Sequence, residues 1–326
     1  MMRMKFPALA WLACLLAAPA WAQDPAAAYP SRAIRVIVPF PPGGAADALP
    51  RIVGEKLLTK WGQPVVVENR AGASGSIGAE AVWRADPDGY TLLATPPAPL
   101  VINPSLYDKL PYDPSQFVPV TVIAAIPSVL LVNAAKVPAS TLQDFVALVR
   151  ANPGRFNYAS QGTTTVSFLT TEMFKAAAGG LKITHVPYKG TGPGLAALLA
   201  GEVEMMFDNL GVTVHHVRSG RLRALAVGSE RRVAALPDVP TMAEFYPGFV
   251  SIAWFSISAP PRTPGTIADK LSRAVSESLA QPDVARRLAY LSAEPIGSTP
   301  EAMAATLREE TQRWRDAIRA TGVKPE

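Results

Sequence analysis

Two stretches combine glycine, hydroxyl and carboxyl groups at spacings that suit anion binding: "VPFPPGGAAD" at 38–47 and "YASQGTTTVSF" at 158–168. In the first, Gly43 and Gly44 can take backbone conformations closed to other residues and let a ligand approach the main chain. The unpaired N–H groups that open a following helix carry partial positive charge, which suits a carboxylate. Asp47 is placed to be the N-cap, with Pro50 in the first turn, where a missing N–H costs little. A tight strand-to-helix turn that holds nothing fits the same residues. In the second stretch Ser160, Thr163, Thr164 and Thr165 surround Gly162 ahead of a helical pattern. Hydroxyls and helix N–H groups together can accept a carboxylate without a charged side chain. Ordinary N-capping needs one threonine, so four hydroxyls exceed it.

Three further stretches lie at strand-to-helix junctions. In "VPYKGTGPG" (186–194) Tyr188 and Lys189 either contact a ligand or are simply solvated. "MFDN" (206–209) ends a strand with Asp208 and Asn209. Asp208 there can bind a ligand hydroxyl or amine, or cap the next helix. "NRAGASGSIGAE" (69–80) resembles a dinucleotide loop but reads G-x-x-G-x-x-G, without a clear acidic partner about 20 residues on. A second anion-friendly turn or a plain surface loop fits it better.

The catalytic inventory is thin. "PFPPGGAAD" lacks the Lys-Ser/Thr of a phosphate-binding loop, and neither H-E-x-x-H nor G-x-S-x-G occurs. The three histidines, His185, His215 and His216, have no metal-pair spacing and read as structural. No cofactor and no metal are expected. Basic residues are scattered without a stripe, which argues against nucleic acid.

Positioning these residues requires alternating strands and helices. Apolar runs at 34–40, 64–69, 90–95, 128–133, 183–188, 203–208, 222–227 and 252–258 read as strands. A short strand also precedes Ser160. Leu49, Ile52, Val53 and Leu57 mark an amphipathic helix, and Ser140 with Gln143 resembles a capping box opening another. Three more helical patterns fill the tail. The alternation indicates an α/β protein with largely parallel sheets. One strand-helix set precedes about residue 126 and a second runs to about 247, while the last helices return to the first domain. Two lobes joined by two crossings leave a cleft at the strand C-termini, where ligands of open α/β sheets usually sit.

The 326-residue chain opens with a basic pair, Arg3 and Lys5, then "ALAWLACLLAAPA" and the small-x-small "AWA" at 20–22. This pattern reads as a signal peptide, residues 1–22, cleaved before Gln23 and directing export to the periplasm. Cleavage removes Cys14, the only cysteine, and lowers the formal net charge from +5 to +3. The mature chain then has no disulfide or thiolate, and its length suffices for a core without them. No later run is apolar enough to span a bilayer.

Ordered segments across nearly the whole mature chain resemble the Bug or TctC-type extracytoplasmic receptors of tripartite tricarboxylate transport. They include "YPSRAIRVIVPFPPGGAAD", "VVVENRAGASGSIGAEAV", "HVPYKGTGPGLAALLAGEVEMMFDNL" and "LPDVPTMAEFYPGF". The resemblance implies a type II periplasmic-binding-protein fold: lobe 1 from 23–126 plus 248–326, lobe 2 from 127–247. It implies closure on a small carboxylate or amino acid, which is passed to membrane carrier subunits by a monomeric, non-enzymatic receptor. A sensor subunit that presents its closed form, or less readily a secreted hydrolase, is the alternative.

Carried over by position, the resemblance points to Phe40, Gly43, Gly44 and Asp47 on one lobe. On the other it points to Ser160, Gly162, Thr164, Thr165 and Asp208. Thr95, Phe168 and Tyr188 complete the expected ligand-binding set. Phe168 stands where a His is common, so a ligand with an apolar or aromatic body is expected ahead of a tricarboxylate. Pro50, Ala71, Ala197 and the pair Thr164-Thr165 are the other departures.

Overall fold

A computed structural model describes residues 24–323. The signal peptide, its cleavage before Gln23 and the loss of Cys14 lie outside the described residues.

The first half opens with β1 (Ile34–Val38), α1 (Ala45–Trp61), β2 (Val65–Asn69), α2 (Ser76–Trp83), β3 (Thr91–Thr95) and the short α3 (Asn103–Leu106). β1 pairs in parallel with β2 on one side and β3 on the other. Four of its five residues are buried, as a strand covered on both faces requires. The chain then enters β4 (Val118–Asn133), a 16-residue strand that carries it into the second half.

The second half contains α4 (Leu142–Ala151), β5 (Phe156–Ser160), α5 (Val166–Ala177), β6 (Ile183–Pro187), α6 (Thr191–Ala200), β7 (Met205–Asn209), α7 (Leu210–Arg218) and β8 (Leu222–Val227). β5 lies between β6 and β7 and is parallel to both, which mirrors the first half. β9 (Ile252–Ala259) returns, followed by α8 (Gly265–Leu279), α9 (Pro282–Tyr290), the two-residue β10 (Glu294–Pro295) and α10 (Pro300–Thr321). The sheet order is β2-β1-β3-β9-β4-β7-β5-β6, with β8 and β10 also on β4. Each half is therefore a parallel triplet, and the strands that cross between halves, β4 and β9, run antiparallel to their partners.

β4 changes partners at one point. Up to Pro127 it pairs with β9, and from Ser128 onward with β7. At that point Ser128 N–H donates to Ser251 O (3.0 Å), Ser251 N–H to Gly228 O (2.8 Å) and Gly228 N–H to Ser128 O (2.7 Å). A Cβ on Gly228 would lie 2.5 Å from Ser251 O, so the crossing segments approach closely only because residue 228 is glycine.

Of the tail helices, α8 and α10 pack on β4, and α10 also packs on α5 of the second half. Its Glu310 accepts from the indoles of Trp254 (2.9 Å) and Trp314 (3.0 Å). Three local readings shift. The capping box of α4 is Thr141 with Asp144, one residue beyond Ser140 and Gln143. Gly44, not Asp47, is the N-cap of α1, and Asp47 lies inside the first turn. Pro50 falls in the second turn, within the helix, where it forfeits the bond to the Ala46 carbonyl.

Candidate ligand cleft

The two glycine-containing loops of the sequence meet across a cavity of about 40 Å³ between the halves. That volume holds about three water molecules. Phe40, Pro41, Gly44, Ala45 and Ala46 line it from the first half, with Pro96 and Ala98 beyond β3. Gln161, Thr165–Ser167, Gly190, Thr191, Asp208 and Asn209 line it from the second. Ser128, Ala253 and Phe255 form its floor at the crossing strands. Alternation along β9 sends Ala253 and Phe255 to this face while Trp254 between them turns to α10.

Four helices begin at this cavity: α1 at Gly44, α5 at Thr165, α6 at Gly190 and α7 at Asn209. Only Thr165 caps its helix with a side chain, accepting from Phe168 N–H at 3.4 Å. The other three starts carry no side-chain cap, so their first-turn N–H groups lack that acceptor. Among the described residues no lysine, arginine or histidine lines the cavity, and Asp208 is the only ionisable side chain that does. Its Oδ1 accepts from Asn209 N–H (2.7 Å), Thr191 Oγ1 (3.3 Å) and Gln161 Nε2. Oδ2 is buried and has no partner. Burial pushes the carboxyl up to about 7, against the pull of those three hydrogen bonds.

Magnitudes show what this site admits. Each helix start favours an anion by about 0.3–1 kcal/mol, rising to about 2 in a partly buried geometry. An ionised Asp208 about 4 Å from a ligand carboxylate would oppose it by roughly 4 kcal/mol. The two forces are comparable, so the protonation of Asp208 decides whether an anion is welcome.

Of the residues read from the sequence, Phe40, Gly44, Thr165, Asp208 and Asn209 line the cavity. The others stand behind it. Asp47 accepts from Arg51 (2.8 Å), Asn69 Nδ2 (3.0 Å) and, at 3.5 Å, Gly43 N–H, while Asn69 also donates to Phe40 O. Burial opposes its ionisation, but the bonds from Arg51 and Asn69 outweigh that and hold the carboxyl below its usual value. Asp47 and Asn69 thus fix the shape of the 40–44 loop. Thr95 is buried and donates to Pro96 O, beside the wall.

Ser160 is fully buried, with Oγ 2.6 Å from His185 Nε2. That distance fits a nucleophile–base pair, yet neither residue lines the cavity. His185 is stacked on Tyr158 (4.8 Å) and faces Phe168 (4.7 Å), and burial pushes its pKa down to about 4. Phe168 therefore packs on a histidine behind the wall, and the case for an apolar ligand body passes to Phe40, Pro41, Pro96 and Phe255. Tyr188 packs on the core cluster under α6, and the exposed Lys189 is solvated.

Gly162 and Thr164 serve the rim. A Cβ at Gly162 would lie 3.3 Å from Ser74 Oγ of the opposite half, and Thr164 Oγ1 donates across to Asn103 Oδ1 at 2.7 Å. A Cβ at Gly190 would stand 3.1 Å from Pro41, and one at Gly44 3.5 Å from Thr191 Oγ1. The halves therefore touch around the cavity, and the arrangement is closed. The 69–80 loop, through Ser74, is part of this rim.

Gln161, Thr191 and Ser128 at the cavity and Asn103 on its rim are positions that the residue patterns did not single out. Gln161 and Thr191 sit inside the quoted loops, and their polarity was the available signal. Among the described residues no group of three or more His, Cys, Asp or Glu is placed to hold a metal ion, and no helix is long and apolar enough to cross a membrane.

Two α/β halves, two crossings and a cavity ringed by helix starts define a class: a solute-binding protein of the type II periplasmic-binding-protein fold. Residues 49–323 match the family described as "Tripartite tricarboxylate transporter family receptor", and the chain belongs to that family. Protein BugT of Bordetella pertussis is 40% identical over 299 residues, 91% of each chain. Rpa4515 of R. palustris, solved with adipate, superposes with a TM-score of 0.88 at 34% identity, covering 91% of this chain and 100% of that one. MatC of Rhodopseudomonas palustris, solved with bound malate, gives 0.84 at 34% identity, covering 89% and 100%. The protein is a periplasmic solute-binding receptor of this family.

Proposed function

We propose that this receptor captures a small carboxylate by closing lobe 1 (23–126 plus 248–326) on lobe 2 (127–247), and hands it to membrane carrier subunits of a tripartite tricarboxylate transporter. It works as an exported monomer and performs no chemistry on its ligand. One observation carries the reading: helix starts from both halves, three of them uncapped, converge on one cavity without a cationic side chain. Backbone dipoles suit an anion that must later be released, since they hold it less tightly than a buried ion pair. The adipate and malate of the two solved relatives fall in the same class. Phe40, Gly44, Thr165, Thr191, Gln161 and Asp208 contact the ligand, with Phe40, Pro41 and Phe255 covering its carbon body. Gly43, Asp47, Thr95, Ser160, Gly162, Thr164, Phe168 and Tyr188 shape the loops that hold them.

A cavity of about 40 Å³ is too small for such a molecule, so entry requires the halves to part. The test is a thermal-shift screen of mono-, di- and aromatic carboxylates at pH 6.5, with small-angle scattering on each hit. A binder at 100 times its Kd adds about 2.7 kcal/mol of stability, and the radius of gyration falls on addition. No shift from any carboxylate overturns the reading, as does mass spectrometry showing that a hit is consumed.

A further inference from the structure

Asp208 is out of place in a site built for anions. It is 2% exposed, lines the cavity and has a buried oxygen, Oδ2, without a hydrogen-bond partner among the described residues. No charge from its surroundings compensates it. β4 places Val129 and Ser128 beside β7, and the first residues of α6 and α7 carry no ionisable group. On β5 and β6, Tyr158 and His185 are stacked on each other. On α5, Glu172 and Lys175 pair at 2.8 Å, and across the cavity the Asp47 of α1 is held by Arg51. Lys189 is exposed, ahead of α6, and His215 and His216 stand in the last turn of α7. A buried carboxyl oxygen without a partner is either an acceptor waiting for a ligand donor or, once protonated, a donor waiting for a ligand acceptor. The carboxylate reading above, on which this inference rests, selects the second.

We propose that Asp208 is the specificity-determining acid of the cleft: it binds in its protonated form and donates Oδ2–H to an oxygen of the ligand carboxylate. Capture then takes up one proton from solvent. The proton stays on Asp208, the ligand remains a carboxylate, and no covalent bond changes except O–H. The raised pKa of the group makes that proton available near neutrality. Selectivity follows, because an amino acid's ammonium directed at Oδ2 has only donors and would meet a donor there.

The test is calorimetric titration of the mature protein with malate, adipate and benzoate between pH 6.5 and 8.5, in buffers of different ionisation enthalpy. Above about pH 7, Kd rises about tenfold per pH unit, and close to one proton is taken up per ligand bound. Asp208→Asn keeps an acceptor at Oδ1 and sets a permanent N–H donor where Oδ2–H stood. Circular dichroism confirms its fold, and its Kd stays flat across the range. A flat profile in the unmodified protein overturns the proposal while leaving the receptor reading intact. Affinity that strengthens with pH, or loss of binding in a folded Asp208→Asn, also overturns it, because both point to a ligand donor on an ionised Asp208. If none of the three acids binds at pH 6.5, this proposal falls, and the wider screen above decides whether the receptor reading falls with it.

Discussion

Gly44 begins α1 without a capping side chain, at φ −97° and ψ 174°, a conformation that suits β-branched residues. The cleft, not backbone strain, is therefore what a larger residue would disturb. Gly44→Val should leave the ligand-free melting temperature within about 2 °C of the original. The ligand-induced shift should vanish, because its γ-carbons would press on Thr191 Oγ1, 3.5 Å from the position of the Cβ. A retained shift in that variant would remove the first loop from the site. The same position shows what was legible at this scale. Gly44, Thr165 and Asp208 stood out because glycine, hydroxyl and carboxyl groups clustered at strand ends. Gln161 did not, because its partners Thr191 and Asp208 lie 30 and 47 residues away. Local spacing carries no trace of a contact made by tertiary packing. Asp47 was legible as important yet misread in kind, since its bond to Asn69 depends on where β2 ends.

Thr141 and Asp144 cap α4 reciprocally: Thr141 Oγ1 accepts from Asp144 N–H, and Asp144 Oδ2 from Thr141 N–H, both at 3.1 Å. The helix buries Leu142, Phe145, Val146 and Val149 in the second-half core, far from the cavity lining. Thr141→Ala should cost about 1 kcal/mol of stability, read by urea denaturation, with the affinity for any carboxylate unchanged. Altered affinity would show that α4 is coupled to the cleft. The displaced cap reflects two adjacent hydroxyl residues, both acceptable N-caps, which only the helix axis distinguishes. β4 was harder to read. Its second half, "SVLLVN", shows as a strand, but Pro119 and Pro127 make the first half look like punctuation. The structure tolerates both because the register on β9 shifts after Pro119, and Pro127 stands where β4 changes partners. A strand that serves two sheets in turn needs breaks in its ladder, and the prolines mark them.

Across the whole molecule, two α/β halves meet at a small cavity and are tied on its rim by the buried hydrogen bond from Thr164 to Asn103, 61 residues apart. On the proposed opening of the lobes that bond breaks, while the hydrogen bonds joining Ser128, Gly228 and Ser251 at the crossing would hold and serve as the pivot. Its energy therefore enters the balance between open and closed forms and not the contacts with the ligand. Thr164→Val preserves side-chain shape and removes the donor. In the closed form Asn103 Oδ1 would then be buried without a partner, at a cost of about 1–3 kcal/mol. In the open form water satisfies it, so the open form gains by that difference. Because about 1.4 kcal/mol is tenfold in an equilibrium, affinity should weaken roughly 5- to 140-fold. The loss should appear mainly as faster dissociation in stopped-flow traces, with the order of ligand preference unchanged. Scattering should report a larger radius of gyration for the ligand-free variant, converging on the original at saturation. Unchanged affinity and radius would mean that the rim contact follows closure without stabilising it.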